Sequence, residues 1–208
     1  MSKPLADSTL VAFTAALASP EPTPGGGSAS AAAVAMAAGL AGMVAGLSMG
    51  RASAITDERW RAVAEEAARL RDEALNLVDE DALAFDGVMA ALRMPKGTEE
   101  EKAQRREALA RANRLASLVP LRTAETGLAV LRLVLLAAEE GNLHAISDAG
   151  VAGEMALAGL RGAIMNVRIN LLSLPDEEQQ GLEDKLSPIE EEVGALADRI
   201  REKVQERL

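Results

Sequence analysis

The chain has 208 residues, of which 49% are hydrophobic, and its formal net charge is −10. This acidic balance argues against nucleic acid as a partner, because no general basic field can form. The absence of cysteine and the single histidine exclude disulfides and zinc sites built from those residues, and we expect no metal. The length and apolar content fit one domain, residues 1–208, with a sizeable aliphatic core.

The amino-terminal segment predicts a short helix followed by a loop. Within residues 8–18, Leu10, Phe13 and Leu17 share one helical face. Residues 1–20 lack a basic start followed by a strong apolar run, so no signal peptide is predicted. We therefore expect a cytoplasmic protein.

Residues 29–50 contain no charged residue and no proline, and alanine dominates, which predicts a helix about 30 Å long. Ser28 is the predicted N-cap. Because this helix has no polar face, it should be buried. A membrane span is disfavoured, since Ala, Gly and Ser outnumber the residues that drive insertion. We expect this helix at the centre of a bundle or at a dimer interface.

The next helix is predicted over residues 57–92, with Asp57 as its cap. Its apolar positions step by three and four from Trp60 to Ala91, and Asp81 interrupts the series. A carboxylate on an apolar face is unfavourable unless it is paired or used chemically. Asp81 is therefore either a structural carboxylate bonded within the core or a functional residue.

Four more helices are predicted, over residues 98–118, 120–140 and 147–173 and from residue 188 onward. Thr98 with Glu101, and Ser187 with Glu190, have the spacing of capping boxes. No stretch alternates with a period of two, as a strand would. The chain thus predicts an all-α bundle of about seven helices around a central Ala/Gly-rich helix.

The helix predicted over residues 147–173 carries a stripe of small and polar residues. Its members are Asp148, Ala152, Met155, Gly159, Gly162, Asn166 and Asn170. Such a stripe either leaves room for a ligand or admits a neighbouring helix. Arg161 and Arg168, seven residues apart, also share a face and suit either an anionic ligand or surface salt bridges.

The glycines Gly25, Gly26 and Gly27 follow no predicted strand and lack the P-loop pattern, so a nucleotide site is disfavoured. Their amides at a helix N-terminus can still bind an anion or a polar ring. A helical core does not need these glycines, nor Asp81 or the asparagines. The residues alone therefore indicate a small-molecule site in a helical bundle and leave enzymatic activity open.

The segments that carry these residues resemble the cyclodeaminase/cyclohydrolase family, which includes the carboxyl-terminal domain of formiminotransferase-cyclodeaminase. The matching segments occur in family order and span most of the chain: Pro22–Ser28, Asp81, Ala84–Phe85, Met94–Lys96, Val119–Leu121, Gly141–Asn142, Ser147–Gly150, Asn166–Val167 and Asn170–Leu171. His144 departs from the family, in which Asn is the more frequent residue, so we do not expect His144 to be essential.

The resemblance implies an all-helical homodimer that acts on folates without a tightly bound cofactor. It implies Asp81 and Asp148 as the acid/base and electrostatic groups. The remaining candidates would hold the pterin or the reacting bridge: Gly25, Gly26, Gly27, Ser28, Asn142, Asn166 and Asn170. By charge alone, Arg168 or Arg161 is the candidate for the glutamate tail.

Two reactions occur in that family. A cyclodeaminase closes 5-formimino-tetrahydrofolate to 5,10-methenyl-tetrahydrofolate and releases ammonia, and this is our first hypothesis. The alternative is a cyclohydrolase, which converts the methenyl form to 10-formyl-tetrahydrofolate. Both need a group that takes and returns a proton. A third hypothesis is a non-catalytic helical binding protein, in which the same polar residues are only satisfied core groups.

Overall fold

The computed structural model describes residues 4–51 and 54–208. Over these residues the chain forms six α-helices and no strand: α1 (Leu10–Leu17), α2 (Gly26–Ser48), α3 (Asp57–Arg93), α4 (Glu99–Glu140), α5 (Ile146–Leu171) and α6 (Asp176–Arg207). Two short 3₁₀ helices, Leu5–Asp7 and Leu143–Ala145, precede α1 and α5. The all-α prediction is confirmed.

The prediction of about seven helices is wrong, because the helices predicted on either side of Pro120 are one helix, α4. A proline inside a helix removes one backbone hydrogen bond, which orphans the carbonyl four residues earlier. That carbonyl belongs to Ala116, and it accepts a 2.7 Å hydrogen bond from the Asn170 side chain of α5. Tertiary structure thus supplies the partner that the proline removes.

The last helix also begins earlier than predicted. It starts at Asp176, and Pro188 lies inside it. Ser187 therefore caps no helix, and its hydroxyl donates to the Glu183 carbonyl at 3.0 Å. The capping box at Thr98 and Glu101 is confirmed, with both reciprocal bonds formed.

Helix α2 is the centre of the bundle and packs against α3, α4 and α5. Its small residues allow close approach: a Cβ at Gly42 would lie 3.4 Å from the Ala67 Cβ of α3. A Cβ at Gly159 of α5 would lie only 2.6 Å from the Ser30 carbonyl. The small residues of the α5 stripe at Gly159 and Gly162 therefore admit α2 near Ser30.

By length and composition alone, α2 could cross a membrane. Half of its most apolar stretch is buried inside the protein, however. Val34 and Val44 on its inner side are fully buried in the main hydrophobic core. This packing is that of a core helix.

Candidate active site

The candidate site lies at the N-terminus of α2. Gly25 is the N-cap and offers no side chain to the first-turn amides. Ser28 is not the cap that the sequence predicted; it is the third residue of the helix and is fully buried. Gly26, by contrast, is exposed. The amides of the first turn thus stand at an accessible helix end, where a helix favours negative or polar ligand groups.

Helix α3 brings Asp81 to this end of α2. The Ser28 hydroxyl lies 2.9 Å from Asp81 Oδ2 and 3.0 Å from the Val78 carbonyl oxygen. A hydroxyl carries one proton, so it donates to one of these acceptors at a time. When Asp81 is ionised, Ser28 can donate to it. When Asp81 is protonated, Asp81 can donate to Ser28, which then donates to Val78. The arrangement accommodates both protonation states of the carboxyl group.

Burial raises the pKa of Asp81 above its ordinary value of 3.8. Hydrogen bonds from the Ser28 side chain and backbone oppose this shift, because they favour the ionised form, but burial dominates. The side chain remains half-buried and is not sealed off. A carboxyl group with a raised pKa at an accessible site is suited to taking and returning a proton.

The position of the Asp81 carboxylate requires glycine at residue 27. A Cβ at position 27 would lie 2.0 Å from Asp81 Oδ1, which no real pair of atoms tolerates. At Gly26 the nearest atom to an added Cβ would be Asn166 Nδ2 at 3.5 Å, an ordinary contact. Of these two glycines, therefore, it is Gly27 that lets α2 and the carboxylate approach.

Asn166 of α5 forms the third side of the site, beside Gly26. Its Nδ2 donates to the Gly162 carbonyl at 2.8 Å. This bond fixes the amide plane and leaves Oδ1 available as an acceptor, and the side chain is half-buried. The structure thus brings together Asp81, Asn166 and the glycine–serine turn from three helices.

Two other predicted site residues lie at the opposite end of α2. The side-chain Nδ2 of Asn142 donates to the Leu47 carbonyl at 3.1 Å, and the backbone amide of Asn142 donates to Ser48 Oγ at 2.8 Å. Asp148 is half-buried in the first turn of α5. With 23 residues, α2 is about 33 Å long, so within one chain this second group does not reach Asp81.

The comparisons with known proteins agree on one family. Residues 9–186 match the family model described as formiminotransferase-cyclodeaminase. The chain belongs to the formiminotransferase-cyclodeaminase family. This confirms the resemblance found in the sequence, at the level of folate one-carbon enzymes of the cyclodeaminase and cyclohydrolase type.

Three members of the family are informative. Methenyltetrahydrofolate cyclohydrolase from Methylorubrum extorquens is 40% identical over 206 residues, covering 97% of this chain and 98% of that protein. Formimidoyltransferase-cyclodeaminase from Rattus norvegicus is 36% identical over 174 residues, but these are only 32% of its length. The crystal structure of formiminotetrahydrofolate cyclodeaminase from Thermotoga maritima has a TM-score of 0.85 at 25% identity and covers 96% of both chains.

These relatives are named as enzymes of the two predicted types, which confirms the prediction of an enzyme over that of a non-catalytic binding protein. Among the family residues of this chain, Asn170 supports Pro120 through the Ala116 carbonyl. Arg168 is exposed and pairs with Glu190 at 2.8 Å. Neither side chain is among those that meet at Asp81.

Sequence reasoning missed one anchor of the site. Asp79 accepts hydrogen bonds from the Leu5 and Ala6 backbone amides at 2.5 and 3.3 Å. It therefore ties the amino-terminal 3₁₀ helix to α3, two residues before Asp81. Helical periodicity carries no signal for this contact, because Asp79 lies off the apolar face. No group of three or more His, Cys, Asp or Glu side chains suited to a metal ion occurs in residues 4–51 and 54–208.

Proposed function

We propose that this protein is a methenyltetrahydrofolate cyclohydrolase. Asp81, half-buried against Ser28 at the accessible end of α2, is the observation that supports an acid/base reaction there. The relative of matching length, 40% identical and named as this enzyme, supports the choice of reaction. The substrate would be 5,10-methenyl-tetrahydrofolate, with water as the second reactant and no resident cofactor.

Asp81 acts first as a base in this proposal. It takes a proton from water while the water oxygen bonds to the cationic bridge carbon between N5 and N10, which gives a neutral tetrahedral carbinol. Protonated Asp81 then returns its proton to N5 as the bond from the carbon to N5 breaks. The carbinol hydroxyl loses its proton to solvent, which leaves the formyl group on N10. One water is consumed and one proton is released.

The surrounding residues would position the reactants. The ionised Asp81 favours the cationic bridge, and Ser28 holds the carboxyl group in either protonation state. The Gly25–Gly27 turn and Asn166 offer amide donors and an acceptor for the polar pterin edge. Asn170 would act indirectly, by fixing α4 beside α5.

Formimidoyltetrahydrofolate cyclodeaminase is the second candidate. The Thermotoga maritima structure, which matches this chain over nearly its whole length, supports it by name. The same residues serve this reaction, because N10 attacks the formimino carbon to give a tetrahedral centre between N5 and N10. Asp81 would then take the N10 proton and deliver it to the departing amino group, which leaves as ammonia.

We also propose a cytoplasmic homodimer. The outward side of the carboxyl-terminal half of α2 supports an interface, since Met43 and Leu47 are 41% and 48% exposed on a helix without charge. In such a dimer, Asn142 and Asp148 would contribute to folate binding or proton transfer only where a second subunit brings them to Asp81.

Methenyl absorbance tests the reaction directly. In a cuvette that contains 5,10-methenyl-tetrahydrofolate, purified protein should accelerate the decay of the methenyl absorbance. In a second cuvette that contains 5-formimino-tetrahydrofolate, the protein should produce no methenyl absorbance. A rise in the second cuvette would establish the cyclodeaminase instead, and no change in either cuvette would refute both candidates.

Asp81→Asn should lower turnover by about 10²-fold or more. Asp198→Asn, which changes a largely exposed carboxylate on α6, is the matched control and should leave turnover unchanged.

A further inference from the structure

An open apolar groove begins beside the candidate site. It lies between α1 on one side and α2 with α3 on the other, and its volume is about 600 Å³. Ala29 and Val78 line its near end, next to Ser28 and one turn from Asp81. Phe13 and Leu17 of α1 form its outer wall. The groove is of the size that small-molecule sites have, and its near end lies about one turn of α3 from Asp81.

The far end of the groove carries a cation. Arg71, Leu75 and Val78 line one side of it and are spaced by four and three residues, so they follow one stripe along α3 that ends about one turn before Asp81. Arg71 is exposed, and its guanidinium pairs with the neighbouring Asp72 carboxylate, itself 63% exposed. An exposed pair of this kind contributes little, so a ligand carboxylate can replace or share it.

The spacing of these features matches a reduced folate. Ten residues of α3 separate Asp81 from Arg71, an axial distance of about 15 Å. In tetrahydrofolate, about eleven bonds lead from the bridge carbon through the aminobenzoyl ring and amide to the γ-carboxylate of glutamate. At the reach of an extended chain this is on the order of 13 Å. The aromatic ring then falls in the apolar middle of the groove, and the carboxylates fall near Arg71.

We propose that this groove binds the aminobenzoyl-glutamate part of the substrate and that Arg71 recognises its carboxylates. The inference rests on the proposed function, since it takes the reacting bridge to lie at Asp81. Arg71 thereby replaces Arg168 as the glutamate-binding residue. Arg168 is held by Glu190 and lines no part of the groove.

The first test changes the charge at the far end. Arg71→Ala should weaken binding of 5-formyl-tetrahydrofolate, a stable analogue, by about tenfold in calorimetry, the effect of losing a charge-assisted hydrogen bond. It should not weaken binding of the corresponding pteroate, which lacks glutamate. Arg69→Ala is the matched control, because Arg69 pairs with Glu66 and Glu73 on the same helix and does not line the groove. Equal effects of Arg71→Ala on both ligands would overturn the proposal.

The second test fills the groove. A Cβ at Gly39 meets no atom within 4 Å, so Gly39→Leu can project into the groove without disturbing the core. We expect the KM for methenyl-tetrahydrofolate to rise at least tenfold while kcat stays within about twofold, because Asp81 is untouched. Gly194→Leu on α6, where space is equally open, should change neither.

The outcomes separate this inference from the proposed function. Wild-type protein that binds the folate analogue with Arg71 dependence but turns over neither substrate would sustain the groove and refute the reaction. Turnover that is insensitive to Arg71→Ala and Gly39→Leu would refute the groove alone. If Gly39→Leu instead converts a dimer to monomers in sedimentation, a second copy of the chain occupies the groove and the proposal fails.

Discussion

At the scale of single residues, Asp81 sets function against stability. Its burial raises its pKa, so the folded protein binds this proton more tightly than the unfolded chain does. The free energy of unfolding therefore falls as the pH rises from 3.8, the ordinary pKa of the unfolded chain, through the raised pKa of the folded protein. Above that pH the carboxyl group is charged in both states. A residue kept only for packing would not carry this penalty at neutral pH.

Asp81→Asn should remove that pH dependence. We expect the free energy of unfolding of the variant, minus that of wild type, to increase as the pH rises from about 4 to 8. Thermal unfolding at a series of pH values measures the gain, and the difference between the two proteins cancels the other carboxyl groups. A stability difference that is constant over this range would contradict the assignment of a buried, titrating Asp81.

Gly27 should be nearly intolerant of a side chain. In Gly27→Ala the new methyl would lie 2.0 Å from Asp81 Oδ1, so Asp81 must move and its bond to Ser28 must break. We expect a stability loss of about 1–3 kcal/mol and a marked loss of turnover. Unfolding in denaturant measures the change in the free energy of unfolding. Gly26→Ala is the control and should stay within about 0.5 kcal/mol of wild type, because its methyl makes only an ordinary contact.

Individual residues were predictable where a pattern exposed them. Asp81 was found because it interrupts an apolar series, and burial of its position is what makes that interruption meaningful. Ser28 was misassigned as an N-cap because a cap and a buried hydrogen-bond donor have the same local sequence. Only the approach of α3 distinguishes them, and no local rule describes that approach.

At the scale of secondary-structure elements, Pro120 and Asn170 form one unit. The proline orphans the Ala116 carbonyl, and Asn170 satisfies it from α5. As a single change, Asn170→Ala should lower the free energy of unfolding by about 1–3 kcal/mol, because the Ala116 carbonyl loses its hydrogen-bond donor. In Pro120→Ala, the restored backbone amide serves that carbonyl, so the same change should cost less.

A double-mutant cycle measures this coupling. The four proteins, unfolded in denaturant, should give an interaction energy of about 1–2 kcal/mol between positions 120 and 170. Additive effects would show that Asn170 has a different role. Asn113→Ala provides a comparison on α4, since the Asn113 amide also reaches a backbone carbonyl but at the exposed end of the bundle, 3.4 Å from Ser173.

This pair also explains the error in helix number. Local rules treat a proline as the start of a helix or a break in one, because they assume that the lost hydrogen bond stays lost. The sequence contains both Pro120 and Asn170, but 50 positions separate them. The helix types and the capping box at Thr98 were predictable because their signals are local, whereas continuity across Pro120 depends on a tertiary contact.

At the scale of the whole molecule, the candidate residues divide between the two ends of α2. Sequence reasoning gathered Asp81, Asn142, Asp148 and Asn166 into one site, because all are polar and all belong to family segments. The fold brings Asp81 and Asn166 together. It leaves Asn142 beside Ser48, about 30 Å along α2 from Ser28. Asp148 lies on α5 about 27 Å before Asn166. Periodicity identifies the face on which a residue lies but not which helix ends meet.

The outer surface of α2 allows a test of the proposed homodimer. Leu47 is 48% exposed on its uncharged carboxyl-terminal half, so Leu47→Glu would place a charge in an interface formed there. Wild type should sediment at about twice the 21.7 kDa chain mass, and the variant at the chain mass. Leu172→Glu, at a residue 77% exposed after α5, should leave the mass unchanged. A wild-type monomer would refute the dimer, and turnover by that monomer would show that Asp81 needs neither Asn142 nor Asp148 of a second subunit.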